Sequence, residues 1–211
     1  MKLKNKVITF EGIDGCGKTT QINLLSDFLD SKNKKNIIVR EPGGTKISEN
    51  IRKVLLDNDN FIESNTETLL FLSSRSQLVN EVIINAISND EFILFDRFID
   101  STIAYQGYGR GMNIELLKKL NDFATNMLKP DLTFVLDINL EESLKRVKKN
   151  NMDRMEKSGS VFLDKVLTGY RHIVKENTVR YRLIDCNNKK PHNIHDEIKT
   201  HIIEFYKGNF S

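Results

Sequence analysis

The sequence predicts an α/β domain in three layers, a five-stranded parallel sheet with helices on both faces. Two observations predict it. Short β-rich apolar runs alternate with longer helical patterns, and each apolar run ends near a charged residue, as expected of a buried strand whose carboxyl end opens toward ligand. The 211 residues suffice for one such domain with a full core, so residues 1–211 are read as a single domain.

The strands are expected at Val7 to Glu11, Ile37 to Arg40, Phe92 to Asp96, Leu132 to Asp137 and Tyr181 to Asp185, each a compact apolar run. Apolar spacing places helices at Lys18 to Asp30, Ile47 to Leu56, Thr66 to Ser88, Ile114 to Leu128, Leu140 to Lys149, Val161 to Glu176 and Ile194 to Tyr206. Asn150 to Ser160 is polar, contains Gly159 and interrupts two helical patterns. It reads as a mobile segment, the centre of a lid over approximately residues 146–160.

Composition excludes several classes. Charged residues make up 29% and apolar ones 39%, a globular balance rather than a disordered one. The net charge of +3 is small, and lysines such as Lys32, Lys34 and Lys35 are interleaved with Asn, so no nucleic-acid footprint is expected. No apolar stretch approaches a membrane span, and the polar start leaves no room for a signal or transit peptide. Cys16 and Cys186 lie far apart in sequence, so free thiols and a reducing cytoplasm are expected.

Gly12-Ile13-Asp14-Gly15-Cys16-Gly17-Lys18-Thr19 fits G-x-x-x-x-G-K-[ST] between the first expected strand and a helix. The three-layer fold is thereby read as a P-loop NTPase fold. Backbone N–H groups of the loop, with Thr20 at the helix start, cradle an anion; Lys18 bridges the outer phosphates of a nucleotide, and the Thr19 hydroxyl can ligate magnesium. Cys16, at a helix N-terminus, is read either as a small packing residue or as a thiol of lowered pKa with modest sensitivity to alkylation. Asp96 ends a strand at the carboxyl edge of the sheet, where a carboxylate holds magnesium or caps the following turn. Glu11 ends the first strand and receives no role.

A phosphate loop alone does not separate a GTPase, an ATPase and a kinase. Four further segments do. Arg40-Glu41-Pro42-Gly43-Gly44-Thr45, the stretch bearing Leu70-Phe71 and Arg75, Asp96-Arg97-Phe98 through Ser101, and Ala104-Tyr105-Gln106-Gly107 follow in order. With the loop they resemble the thymidylate kinase family from Val7 to at least Glu156. That resemblance implies transfer of a phosphoryl group from magnesium-ATP to dTMP, giving dTDP on the way to dTTP for DNA replication.

Phe71 and Arg75 share a helix face, so a ring and a guanidinium can meet one base, which the resemblance names as thymine; core packing is the alternative for Phe71. The resemblance assigns Arg97 and Arg52 to the acceptor phosphate, with Ser101 in the same run. It gives Asp14 the sugar hydroxyl and the ordering of the incoming phosphate, and gives Tyr105 the crowding of the sugar 2′ position. Gln106 offers both donor and acceptor to thymine.

Some members of that family carry an arginine inside the phosphate loop, where this chain has Gly15. In those without it, lid residues supply the charge, and Arg154 is the residue expected to do so, alongside Lys148 and Lys149, which a helix C-terminus also explains. Arg146 is read as an adenine-side contact. The resemblance also implies a homodimer, packed through helices that include Thr66 to Ser88; the stripe of Leu78, Val79, Val82 and Ile83 on that helix fits such a contact and core packing equally. Of the rivals, a GTPase needs a base-reading aspartate that is missing after Asn188-Lys189-Lys190, a deoxynucleoside kinase has less use for Arg52 and Arg97, and a non-catalytic ATP-binding module does not need the full set of Lys18, Thr19, Asp96, Arg97 and Arg154 present here.

Overall fold

The computed structural model describes residues 5–147 and 153–210. Five strands form one parallel sheet in the order β2-β3-β1-β4-β5: β1 (Val7–Glu11), β2 (Asn36–Arg40), β3 (Phe92–Asp96), β4 (Leu132–Asp137) and β5 (Tyr181–Asp185). β1 lies in the centre, every residue of it buried. Side chains alternate along a strand, so Ile8 and Phe10 of β1, with Phe92 and Leu94 of β3, belong to one apolar cluster, whereas Val7, Ile93 and Phe95 belong to the other. Truncating a buried ring such as Phe10 or Phe134 to alanine costs about 3–5 kcal/mol.

The helices are α1 (Lys18–Ser31), α2 (Lys46–Leu56), α3 (Ser64–Leu78), α4 (Ile84–Ser88), α5 (Ile99–Thr102), α6 (Ile114–Ala124), α7 (Leu140–Arg146), α8 (Ser160–Glu176) and α9 (Pro191–Phe205). One long helix was expected over Thr66 to Ser88; α3 and α4 are its two parts, joined by a π-helical turn at Val79–Ile83. Leu78, Val79 and Ile83 are fully buried in the second cluster, with Val82 packed against it, so core packing accounts for this stripe.

Other boundaries differ for local reasons. α6 stops at Ala124, short of Leu128, because Asn126 and Met127 adopt left-handed backbone angles that no helix continues. α7 stops at Arg146, where Val147 turns extended, and Lys148 and Lys149 lie outside the described residues. α9 starts earlier than expected, with Pro191 in its first turn, a position that needs no amide hydrogen. The helical run Ile99–Thr102 and its π-helical continuation Ile103–Gly109 have no counterpart in the apolar spacing. Ile99, Asp100 and every residue from Thr102 to Gly107 are buried, so the run carries no exposed polar face from which a helical period could be read.

Candidate active site

Every strand points its carboxyl end to the same edge, and the phosphate loop leaves β1 there. Gly12 has a φ of +137°, and a Cβ at that position would lie 2.7 Å from the Leu136 carbonyl oxygen, so only glycine fits. Gly15 is equally constrained: its φ is +75° and a Cβ would meet the Ser143 carbonyl oxygen at 2.8 Å, which leaves no room for an arginine inside this loop. A cation reaches the loop from α7 instead, where Arg146 Nη1 donates to the Gly15 carbonyl at 3.4 Å.

Lys18 is buried and donates to the carbonyl oxygens of Gly12 and Ile13 at 3.1 and 3.2 Å. Ile13 itself packs into the core. Next to Lys18, Thr19 Oγ1 donates to Asp96 Oδ2 at 3.0 Å, so both oxygens expected at a magnesium ion stand together beside the loop. Among the described residues no three acidic, His or Cys side chains cluster as a metal cage. A hydroxyl and one carboxylate suit magnesium completed by phosphate and water oxygens.

Arg97 joins the loop to Tyr105. Its φ of +70° is a strained backbone angle for a residue with a Cβ, a cost of about 1–3 kcal/mol that surrounding contacts must hold. Its N–H donates to the Phe10 carbonyl at 3.1 Å, Nη1 to the Gly12 carbonyl at 2.9 Å and Nη2 to Asp14 Oδ1 at 2.7 Å, and the guanidinium stands 5.2 Å from the centre of the Tyr105 ring. Burial pushes the Asp14 carboxyl up, but Arg97 and then Lys18 outweigh it and hold the group well below the usual carboxylate range.

Glu11 acquires a role. One of its oxygens accepts the Phe98 N–H at 2.7 Å, and the other accepts the hydroxyls of Ser101 at 2.6 Å and Tyr170 at 2.9 Å, which pins the turn that carries Arg97. Burial, then the charge of Asp100, push this carboxyl up to about 7 against the hydrogen bonds. Ser101 lines the cavity described next, with its hydroxyl engaged by Glu11.

A single cavity of about 700 Å³ runs along this edge, from Asp14–Gln21 to Arg52, Phe71, Tyr105 and Gln106. Arg146, Lys189, Pro191 and Ile194 also line it. At the Phe71 end Arg52 Nη1 donates to the Pro42 carbonyl at 2.9 Å. Burial, then the nearby charges of Arg40 and, less strongly, Arg97, push the Arg52 pKa down, while Glu49 and Asp153 oppose this. Like charges crowded at one end of a cavity favour an anion there.

Arg75 is placed differently from a free base-reading side chain. It is 2% exposed, and its five donors all have partners: Nε and Nη2 on Glu41, Nη1 on Thr102 and Asn121, Nη2 also on the Phe98 carbonyl. Its partner Glu41 also lines the cavity and keeps a buried oxygen, Oε1, without a partner. Tyr105 presents a buried hydroxyl without a partner in the same cavity.

Two further expectations meet different surroundings. Cys16 is 1% exposed, and burial pushes its thiol up although Lys18 opposes it, so the reactive-thiol reading gives way to packing. Arg154 does not line the cavity. Its Nη1 pairs with Glu67 Oε2 at 2.7 Å and its Nε donates to the Leu55 carbonyl at 2.8 Å. Glu67 went unread in the sequence, although it stands one helical turn before Phe71 and two before Arg75 on the same face.

A family model described as Thymidylate kinase matches residues 10–198. The chain belongs to the thymidylate kinase family. It is 49% identical over 183 residues to a thymidylate kinase of Thermoanaerobacter sp. (strain X514), covering 87% of this chain and 90% of the relative. It is 43% identical over 206 residues to one of Caldanaerobacter subterraneus subsp. tengcongensis, covering 98% and 99%. Among solved structures, the thymidylate kinase of Ehrlichia chaffeensis superposes with a TM-score of 0.77 at 33% identity, over 95% of this chain and 99% of that one. The family fold is thus the P-loop sheet described above, and among the described residues no helix is long and apolar enough to cross a membrane.

Proposed function

We propose that the protein transfers the γ-phosphoryl group of ATP to dTMP, yielding dTDP and ADP. The observation that carries this reading is the continuity of one cavity between the phosphate loop and the Arg52/Arg97 end, which allows donor and acceptor phosphates to meet head to head. ATP phosphates would lie on the loop N–H groups, and Lys18 would exchange the Gly12 and Ile13 carbonyls for phosphate oxygens. Thr19 and Asp96 are the residues that would hold magnesium, whose charge offsets that of the phosphates when bound.

On the acceptor side, Arg97 and Arg52 would clamp the dTMP phosphate, Asp14 would accept from the sugar 3′-hydroxyl, and Tyr105 would close the space at C2′. Phe71 would stack on the base, with Arg75 and Gln106 at its edge. An Arg75 contact to thymine requires one of its five donors to leave its present partner. Likewise, Arg154 supplies charge to the transferring group only by leaving Glu67 and the Leu55 carbonyl. The homodimer implied by the resemblance is proposed to form through Leu69 and Ile84, exposed apolar side chains of α3 and α4. A reducing cytoplasm suits the two free, buried thiols.

A coupled assay with magnesium-ATP, offering dTMP, thymidine and the other deoxynucleoside monophosphates, tests the reading. Selective formation of dTDP from dTMP is expected. Phosphorylation of thymidine in preference to dTMP would remove the assigned task of Arg52 and Arg97 and overturn it.

A further inference from the structure

Glu67 is a fully buried carboxylate on α3 that the phosphoryl-transfer chemistry does not use. Four polar contacts converge on it. Oε1 accepts from Gln106 Nε2 at 3.0 Å and from Arg110 Nε at 3.3 Å; Oε2 accepts from Arg110 Nη2 at 3.1 Å and pairs with Arg154 Nη1 at 2.7 Å. Burial pushes this carboxyl up, but the Arg110 and Gln106 hydrogen bonds outweigh it and hold its pKa below the usual value, so it is ionised at neutral pH and can only accept.

An acceptor-only partner decides which way an adjacent amide points. Gln106 must turn its NH₂ toward Glu67, where one of its two N–H groups is engaged, and the acceptor it keeps for the cavity it lines is its carbonyl oxygen. The same end of the cavity holds the unpaired Glu41 Oε1, while the five Arg75 donors are occupied. The orientation that Glu67 imposes therefore keeps a Gln106 acceptor available to the base. Thymine and uracil carry a hydrogen on ring N3 and can donate to such an acceptor; cytosine has a lone pair at N3 and is repelled.

We propose that Glu67 is a specificity-determining positioning residue, fixing the Gln106 amide so that the acceptor end of the site selects pyrimidine monophosphates bearing an N3–H. Arg110 bridges both oxygens of the carboxylate, and Arg154 pairs with Oε2, the oxygen that Gln106 does not use. The inference rests on the proposed dTMP reading and adds the residue that sets the hydrogen-bond polarity of the base site.

The test compares kcat/KM for dTMP, dUMP and dCMP in the wild type and in Glu67→Gln. An amide at position 67 can donate as well as accept, which frees Gln106 to turn its NH₂ toward cytosine. The preference for dTMP over dCMP is expected to fall by about tenfold or more, with the dTMP-to-dUMP ratio unchanged because both carry N3–H. A uniform loss on all three substrates is what a merely structural role gives, and it overturns the proposal. Should Glu67→Gln fail to fold, the wild type answers: the Gln106 side-chain NH₂ signals in an NMR spectrum should stay protected from solvent exchange before and after dTMP is added. Their deprotection or displacement by dTMP overturns the orientation. A wild type that turns over dTMP while one of these results fails loses only this inference; a wild type that prefers dCMP loses the dTMP reading and this inference with it.

Discussion

Thr19 and Asp96 come from opposite sides of a long stretch of chain, yet their side chains meet at 3.0 Å beside the phosphate loop. Parallel pairing of β1 with β3 brings them together, because it sets Phe10 in register with Asp96 at the edge where α1 begins. Asp96→Asn keeps the shape and removes the charge. The free magnesium concentration needed for half-maximal turnover is expected to rise by roughly tenfold or more, while dTMP binding without metal changes little. Titrating activity and calorimetric dTMP binding against magnesium separates the two, and an unchanged magnesium dependence would remove Asp96 from the metal site.

Arg97 spans Gly12 and Asp14 with two nitrogens of one planar group. Lysine keeps the charge and loses the fork, so Arg97→Lys is expected to lower kcat/KM for dTMP by about a hundredfold. Steady-state kinetics checks it; a loss below about threefold would mean that charge alone suffices.

Arg154→Ala discriminates between two tasks for one guanidinium. If Arg154 leaves Glu67 to meet the transferring group, kcat falls by roughly a hundredfold while KM for dTMP moves little. That is the expected result, read from saturation curves in both substrates. A loss confined to KM or to thermal stability would assign Arg154 to holding the polar segment against α2 and α3.

Glu11 links pH to stability with a definite sign. Its folded pKa is raised above the unfolded carboxylate value of about 4.3, so the folded state binds the extra proton between the two values. Stability contributed by this group is present below the unfolded pKa and is lost as pH rises toward about 7. Thermal melts of the wild type should therefore fall from pH 5 to pH 8 more steeply than those of Glu11→Gln. Parallel pH profiles would show that Glu11 does not titrate in this window.

Cys16 offers a simple check of burial. Iodoacetamide labelling, followed by mass spectrometry, should be slow with or without ATP and become fast only on unfolding. Rapid labelling that ATP suppresses would restore the reactive-thiol reading.

The five strands were legible because each is a compact apolar run, and the phosphate loop because its glycines and Lys18 have fixed spacing in a strand-to-helix setting. The run Ile99–Gly109 was not, since burial on all sides erases the period that marks a helix. The neighbours of Arg75 and Arg154 were hidden for another reason. Their carboxylate partners, Glu41 and Glu67, lie on other elements, and only tertiary packing decides whether an arginine faces substrate or a buried acid. Glu11 was visible as a residue and silent as a function until Phe98, Ser101 and Tyr170 were seen to converge on it.

The central place of β1 has a consequence for how the molecule comes into being. Its neighbours on either side, β3 and β4, are made long after it, so the strand that leads into the phosphate loop waits unpaired while much of the chain is synthesised. Closing such distant contacts is slow, and nascent or truncated chains ending before Leu132 should neither retain ATP nor escape chaperones and proteases. Nucleotide capture is thus a late property of the growing chain, although its motif is made before four of the five strands.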